Sequence, residues 1–79
     1  MELTYDPKYN IAYIRFRPKK AEVESIKISD ELIVDIGNDG TIYGIELLNA
    51  NEQIQREEEA DLVVFNKGTG KKLSVPLPM

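Results

Sequence analysis

The sequence has neither cysteine nor histidine, and it has no tryptophan. Without cysteine, disulfides, iron–sulfur clusters, thiol nucleophiles and cysteine-ligated zinc are excluded. Without histidine, the usual general base near neutral pH and the commonest transition-metal ligand are also missing. Catalysis would depend on carboxylates, tyrosine, lysine, serine or threonine, and no catalytic motif stands out among them. We therefore expect a protein that is not an enzyme and that uses no cofactor.

Long apolar runs and an excess of basic charge are lacking as well. No stretch approaches the roughly 18 apolar residues of a membrane span, and the N-terminus has no signal-peptide pattern. The 10 basic and 14 acidic residues give a net charge of −4, which argues against nucleic-acid binding. These features predict a cytoplasmic protein with no membrane or nucleic-acid partner.

The residues that are present indicate one small domain of mainly β (α+β) class. With 79 residues, 42% hydrophobic and 30% charged, the composition is that of an ordinary globular domain. Alternating apolar patterns predict about five strands within residues 1–48, arranged as an antiparallel meander. A short helix or linker is predicted over 49–60, and a C-terminal β-hairpin over 61–79. Pro76 cannot donate to a strand ladder, so the last strand is predicted to lie at an edge or to diverge from the sheet.

The central hairpin of the predicted sheet turns at Asp39-Gly40. That dipeptide suits a two-residue type I′ turn, which would pair Ile36 with Tyr43. A three-residue loop would instead place Ile36 opposite Ile42 and mix polar with apolar residues on both faces, so the shorter turn is favoured. With the shorter turn, one face is continuously apolar and carries Leu32, Val34, Ile36, Tyr43, Ile45 and Leu47.

Apolar residues also occur on the second face of several strands. Ile33 and Ile42 are examples in the central hairpin, and Val63 and Phe65 are examples near the C-terminus. One short helix cannot cover this second face. The sheet therefore either folds over itself as a small sandwich or half-barrel, or is covered by a second copy of the chain. We favour a homodimer, because small cores commonly need added burial from oligomerisation.

Two carboxylates form the candidate ligand site. In the predicted register Asp35 faces Gly44, and Glu46 lies two positions along the same face. Because glycine leaves a notch, both acids would converge on a small hollow suited to a hard cation such as Mg²⁺ or Ca²⁺, or to a small ligand. The alternative, which we favour, is that they bond the backbone or pair with Lys27 or Arg15, since two carboxylates alone rarely hold a metal.

Three charged segments have simpler interpretations. The basic residues at 15–20 are predicted to be a solvated strand face, because a nucleic-acid site needs a larger positive field. The glycine- and lysine-rich segment at 68–72 lacks the spacing and the following helix of a phosphate loop, so it is predicted to be a turn. The acidic cluster at 56–61 is predicted to be a solvated helix end, or else a surface that meets a basic protein partner.

The sequence resembles the small prokaryotic family known as domain of unknown function 2283. Its typical pattern is YD-x3-D-x-x-Y-I followed by a VD…G…GIE-x-L hairpin, and the likeness covers about residues 2–50. Asn10 stands where aspartate is usual. The residues that carry the resemblance are Tyr5, Asp6, Asn10, Tyr13, Ile14, Val34, Asp35, Gly40, Gly44, Ile45, Glu46 and Leu48. The resemblance implies a compact, mainly β domain without an established activity, and an antitoxin-like setting by association with neighbouring small toxins.

Two functional hypotheses follow. The first is a protein-interaction module, acting as a homo-oligomer and in an antitoxin-like manner, that meets a basic partner through an exposed strand edge and an acidic surface. The second is a small-ligand or divalent-metal-binding protein that uses Asp35 and Glu46 beside Gly44.

Overall fold

The computed structural model describes residues 1–18, 22–54 and 61–77. In these ranges the chain forms a five-stranded antiparallel sheet, one short helix and a C-terminal two-stranded hairpin, which confirms the predicted fold class. The elements are β1 (Glu2–Asp6), β2 (Ile11–Arg15), β3 (Val23–Ser29), β4 (Leu32–Gly37), β5 (Ile42–Leu48), α1 (Ala50–Ile54), β6 (Asp61–Phe65) and β7 (Lys72–Pro76).

The strand order of the large sheet is β1-β2-β5-β4-β3, which differs from a simple meander at one connection. β2 pairs with β5, so β5 is the central strand, and β1 and β3 are the two edges. This pairing sets Ile14 opposite Ile45 and Ala12 opposite Leu47, so the apolar residues of β2 and β5 lie side by side on one face of the sheet. It also brings the other face of β2 close to β4.

The turn of the central hairpin is not the predicted two-residue turn. The Gly37 N–H donates to the Thr41 carbonyl at 2.8 Å, and the Gly40 N–H donates to the Gly37 carbonyl at 3.0 Å. Gly40 has φ +86°, whereas Asp39 is not among the residues with positive φ, as a type I′ turn would require. The loop therefore has three residues and ends in a left-handed glycine. The Asp39 carboxylate supports it by accepting the Thr41 N–H at 2.9 Å.

The longer loop changes only the first pair of the hairpin. Ile36 pairs with Ile42, so the predicted pairing of Ile36 with Tyr43 is wrong. Tyr43 is the extra residue of a β-bulge, and one extra residue shifts the register back to the predicted one. Asp35 consequently faces Gly44, as predicted. The pairs beyond it, Val34–Ile45 and Leu32–Leu47, are also confirmed.

The large sheet has an apolar face with a thin core. In the described part of the chain, the fully buried apolar residues are Ala12 and Ala50, and no large side chain is fully buried. Most apolar residues of this face are half-buried, and Ile26 of the edge strand is exposed. By register the face carries Leu3, Tyr5, Ala12, Ile14, Ile26, Leu32, Val34, Ile36, Ile45 and Leu47.

Helix α1 is attached to the sheet by hydrogen bonds from two loops. The Ala50 N–H donates to the Asn10 carbonyl at 2.9 Å, and the Asn51 N–H donates to Asn10 Oδ1 at 3.0 Å. The Gln53 side-chain amide donates to the Glu31 carbonyl at 3.0 Å. The predicted short helix is thus confirmed over Ala50–Ile54, and the rest of its predicted range, 55–60, lies outside the described residues.

The C-terminal hairpin forms a separate two-stranded sheet. Its loop is closed by the Asn66 N–H, which donates to the Lys71 carbonyl at 2.8 Å, and Gly70 takes a φ of +75°. The glycine- and lysine-rich segment is therefore a turn between strands, as predicted. The strands of this hairpin contact each other much more than they contact any strand of the large sheet.

Candidate functional site

The polar face of the large sheet is organised around Asp35, whose side chain lies on β4 and is 4% exposed. The Tyr13 hydroxyl donates to Asp35 Oδ2 at 2.7 Å, and the Ser25 hydroxyl donates to Oδ1 at 2.6 Å. Burying a carboxylate is unfavourable unless its oxygens are hydrogen-bonded. Each oxygen of Asp35 has such a donor. We call these three residues the Tyr13–Asp35–Ser25 network.

The network spans four neighbouring strands and passes over one glycine. Tyr13 lies on β2 and Asp35 on β4, so the phenol has to cross the central strand at Gly44. A Cβ built on Gly44 would lie 2.9 Å from Tyr13 Cε1 and closer still to its Cζ and Oη. Any side chain at Gly44 would therefore displace the tyrosine. Ser25 completes the network from the register position directly opposite Asp35 on β3.

The surroundings of Tyr13 make it a hydrogen-bond donor and not a base. Burial raises the pKa of the Tyr13 phenol to about 12, and the hydrogen bond and negative charge of Asp35 act in the same direction. The charge of Glu46 raises this pKa as well, while Arg15 acts in the opposite direction. Near neutral pH the phenol therefore stays protonated, and its hydroxyl donates a hydrogen bond to the Asp35 carboxylate. The network is suited to holding strands together, since its hydrogen bonds join β2, β4 and β3 across the central strand.

The structure brings the predicted site residues onto one face but fills the space between them. Asp35 pairs with Gly44, and Glu46 lies opposite Tyr13 on the neighbouring strand. The notch expected beside Asp35 exists, and the Tyr13 ring occupies it. Within the described ranges, no group of three or more acidic, histidine or cysteine side chains is placed to hold a metal ion.

The partners suggested for the two acids are engaged elsewhere. Arg15 pairs with Glu2 at 3.3 Å, and Lys27 pairs with Asp30 at 3.2 Å. Both are exposed pairs between flexible side chains, which contribute little to stability. Asp35 instead takes hydroxyl donors from the strands on either side of the Gly44–Asp35 pair.

Sequence reasoning missed Tyr13 and Ser25 as partners of Asp35. A glycine inside a strand and opposite a buried acid is itself a signal, because such glycines often mark the close approach of another group. Naming that group required the strand order. A meander separates β2 from β5, and only the observed order places Tyr13 beside Gly44.

A second polar cluster forms around Asn10, which has a left-handed φ of +55°. Asn10 Oδ1 accepts the Tyr5 hydroxyl at 3.1 Å as well as the backbone N–H of Asn51. Its Nδ2 donates to Asn51 Oδ1 at 2.6 Å and to Asn49 Oδ1 at 3.2 Å. An aspartate here would lack the donating N–H groups. The departure from the family pattern at this position therefore has a structural use, since the amide joins the first loop to the start of α1.

The charged segments singled out in the sequence do not assemble into a site in the described part of the chain. Arg17, just beyond the end of β2, lies over the Tyr43 ring at 5.6 Å in a cation–π contact. Lys19 and Lys20, and the acidic residues at 56–60, lie outside the described residues. Within those ranges, no helix is long and apolar enough to cross a membrane.

The most prominent exposed surface is apolar. β6 and β7 are exposed along their whole length, and they contain six large apolar residues besides Pro76 at the end of β7. A further exposed pair, Ile26 and Ile28, lies on the edge strand β3. The six residues of the hairpin are Leu62, Val63, Val64, Phe65, Leu73 and Val75.

Comparison with known proteins gives a family but no activity. A family model described as a protein of unknown function (DUF2283) matches residues 2–51, which confirms the resemblance drawn from the sequence. The match covers all five strands of the large sheet and the first two residues of α1, Ala50 and Asn51. Tyr13, Asp35 and Gly44 fall within it, and the C-terminal hairpin falls outside. No curated protein and no solved structure matches the chain.

Proposed function

The chain belongs to the DUF2283 family of proteins of unknown function, and for this member we propose a protein-interaction module that acts as a homo-oligomer. The observation that carries the proposal is the amount of surface that a single copy leaves exposed. One copy exposes 6218 Å². A folded monomer of 9.0 kDa is expected to expose about 4,900 Å².

The excess surface is of the size that stable dimers bury. It amounts to roughly 1,300 Å² per copy, so two copies that covered it would bury about 2,600 Å² in total. Obligate homodimers typically bury about 2,000 Å² or more. The radius of gyration is 14.2 Å, against about 11.6 Å expected for a compact chain of this length. Both quantities exceed those of a compact chain of this length, which supports the burial of further surface by association.

A divalent-cation or small-ligand site at Asp35 and Glu46 is the weaker proposal. Two observations oppose it: the Asp35 side chain is almost inaccessible, and the Tyr13 ring lies in the space where a ligand would sit. A cation would have to displace both Tyr13 and Ser25 from the carboxylate. Calorimetric titration with Mg²⁺, Ca²⁺ and Mn²⁺ is expected to show no binding at millimolar concentrations.

An antitoxin-like role towards a basic protein is the finer form of the proposal. The net charge of −4 supports association with a positively charged partner. The unpaired edge of β3, with Ile26 and Ile28 exposed, supports the addition of a partner strand. We place this activity in the cytoplasm, in keeping with a cysteine-free chain that needs no oxidising compartment.

Sedimentation velocity of the purified chain between about 1 and 100 µM tests the proposal. We expect a species of about twice the 9.0 kDa mass of one chain to dominate at the upper end of this range. A single 9.0 kDa species throughout would refute homo-oligomer formation.

A further inference from the structure

The C-terminal hairpin has one face that is apolar without interruption. The register sets Leu62 opposite Val75 and Val64 opposite Leu73. Residues directly opposite each other in an antiparallel pair share a face, so these four side chains form one block, which we call the apolar hairpin face. They are between 39% and 62% exposed.

The reverse side of the same hairpin carries polar as well as apolar side chains. Asp61 pairs with Pro76, Val63 with Ser74, and Phe65 with Lys72. Charged and hydroxyl groups therefore interrupt the apolar residues on that side. Only the apolar hairpin face is free of polar side chains, and it can be buried without leaving a charge unpaired.

A hairpin of this kind needs a covering layer. An isolated two-stranded hairpin is marginally stable in water, and it gains independent stability from further strands or from packing on another element. The hairpin pairs with no other strand of the described chain. Outside the described ranges, residues 19–21 and 55–60 carry no apolar side chain larger than alanine, and 78–79 supply one methionine, which is too small to cover four apolar side chains.

We propose that the apolar hairpin face of Leu62, Val64, Leu73 and Val75 is the surface on which a second copy of this chain docks, hairpin against hairpin. The proposal rests on the proposed homo-oligomeric function and specifies its interface. Two hairpins packed face to face form a small four-stranded sandwich around eight apolar side chains.

Two arguments favour a second copy as the occupant. A two-fold interface places the same patch on both copies, so the patch has to be complementary to itself. The apolar hairpin face meets this condition, because it contains no charge that would meet a like charge across the axis. The apolar hairpin face is also part of the excess surface of roughly 1,300 Å² per copy, an area of the size that a stable homodimer buries.

The partner's large sheet is a less suitable surface than the partner's hairpin. The apolar residues on the sheet face, such as Leu3, Ile14 and Val34, are half-buried, whereas every residue of the apolar hairpin face is exposed. The hairpin therefore has more surface to remove from water per residue.

The test uses two neighbouring substitutions in the full chain. Leu73→Glu places a carboxylate in the apolar hairpin face, and Ser74→Glu places the same group on the reverse side of the same strand. Leu73→Glu is expected to weaken dimer formation by about 100-fold or more in sedimentation velocity, because each copy would bury an unpaired carboxylate in the interface. Ser74→Glu is expected to leave the dissociation constant within about threefold of the parent value, as a surface charge does.

Cross-linking supplies a second measurement that does not depend on a destabilising variant. The parent chain has no cysteine, so a single introduced thiol can form a disulfide only with another copy. Single cysteines are placed in turn at the four positions of the apolar hairpin face, with Ser74→Cys as the control. Disulfides need Cα atoms within about 7 Å. At least one of the four variants is expected to become a covalent dimer on mild oxidation, and faster than the control.

The outcomes separate this interface from the wider proposal. If the parent chain is a dimer, but Leu73→Glu also remains one or none of the four cysteines cross-links faster than Ser74→Cys, the hairpin interface is wrong and self-association stands. If Ser74→Glu dissociates the dimer as strongly as Leu73→Glu, the reverse side is involved and the proposed face is likewise overturned. A monomeric parent chain overturns both. Should Leu73→Glu lose its far-UV circular dichroism, the cysteine series decides.

Discussion

Gly44→Ala is the most informative single change in the large sheet, because one methyl group tests the whole Tyr13–Asp35–Ser25 network. Gly44 does not have a positive φ, so alanine is compatible with the backbone at this position. The obstacle is the Tyr13 ring, whose Cε1 would lie 2.9 Å from the new Cβ, with Cζ and Oη closer. The ring therefore has to leave the position from which it donates to Asp35.

The expected cost follows from what the displaced ring loses. A hydrogen bond to a charged group contributes about 1.5–3 kcal/mol, and overpacking adds about 1–3 kcal/mol where the ring cannot move away completely. Replacing a strand glycine with alanine returns about 0.4–1 kcal/mol, because the unfolded chain becomes less flexible. Together these terms lower the expected free energy of unfolding of Gly44→Ala by about 1.5–5.5 kcal/mol, towards the lower end if the ring moves away completely.

A double-mutant cycle with Tyr13→Ala separates the steric conflict from any general intolerance of substitution in β5. Without the ring, Gly44→Ala should no longer be destabilising and should stabilise by about 0.5 kcal/mol. The assay is urea unfolding followed by far-UV circular dichroism at one fixed protein concentration, since stability depends on concentration when folding is linked to association. Gly40→Ala is the matched control: no atom lies within 4 Å of its Cβ, so its cost comes from the φ of +86° and should be the same in both backgrounds. An equal cost of Gly44→Ala with and without the Tyr13 ring would refute the reasoning.

Three further changes test other parts of the molecule. Tyr13→Phe should cost about 1.5–3 kcal/mol near neutral pH. The pKa of Tyr13 is raised to about 12 in the folded chain, above its unfolded value near 10, so this contribution is present below pH 10 and is lost as the pH rises through 12. A difference in unfolding free energy between parent and variant that stays constant in urea unfolding from pH 8 to 12 would contradict this. Asn10→Gly keeps the left-handed backbone but removes the cap, so the Asn51 amide should exchange roughly tenfold faster by NMR, whereas the Ala50 amide, bonded to the main chain of residue 10, should change less. Hydrogen bonding to Thr41 holds the pKa of the Asp39 carboxyl below its ordinary value, so its support of the loop should be present at neutral pH and lost as the pH falls through that pKa; an NMR titration giving an ordinary or raised pKa would argue against the observed loop.

Local patterns were sufficient to predict the strands and one important pair of residues. Alternation placed Asp35 and Glu46 on the same face, and the pairing of Asp35 with Gly44 is found as predicted. It is found for a different reason than expected, however. The three-residue loop shifts the register by one, and the bulge at Tyr43 shifts it back. The register of the hairpin was therefore set less by the Asp39-Gly40 dipeptide than by the need to keep one face of the two strands apolar.

The strand order and the filling of the notch could not be predicted from local pattern. Sequential strands are neighbours in most sheets, which favours a meander. However, β3 and β5 both have alternating apolar residues, so either strand could pair with β2 as far as the local pattern shows. The observed choice gives β2 the central strand as a neighbour and lets Tyr13 cross Gly44 to Asp35. The strand order, which local pattern did not predict, therefore places the Tyr13 ring in the candidate hollow beside Gly44 and makes it part of a hydrogen-bonding network.

The two faces of the large sheet have different roles: the polar face contributes to stability, and the apolar face leaves surface for association. The polar face is specified by the Tyr13–Asp35–Ser25 network, which links four strands without a thick core. The apolar face and the hairpin retain surface that a single layer cannot bury, and domains normally pack two layers of secondary structure around a core. One helix of five residues does not form a second layer. The C-terminal hairpin makes few contacts with the strands of the large sheet and does not supply that layer in one copy. In the proposed homo-oligomer the missing layer comes from another molecule, and the self-complementary apolar hairpin face makes an identical chain the simplest source.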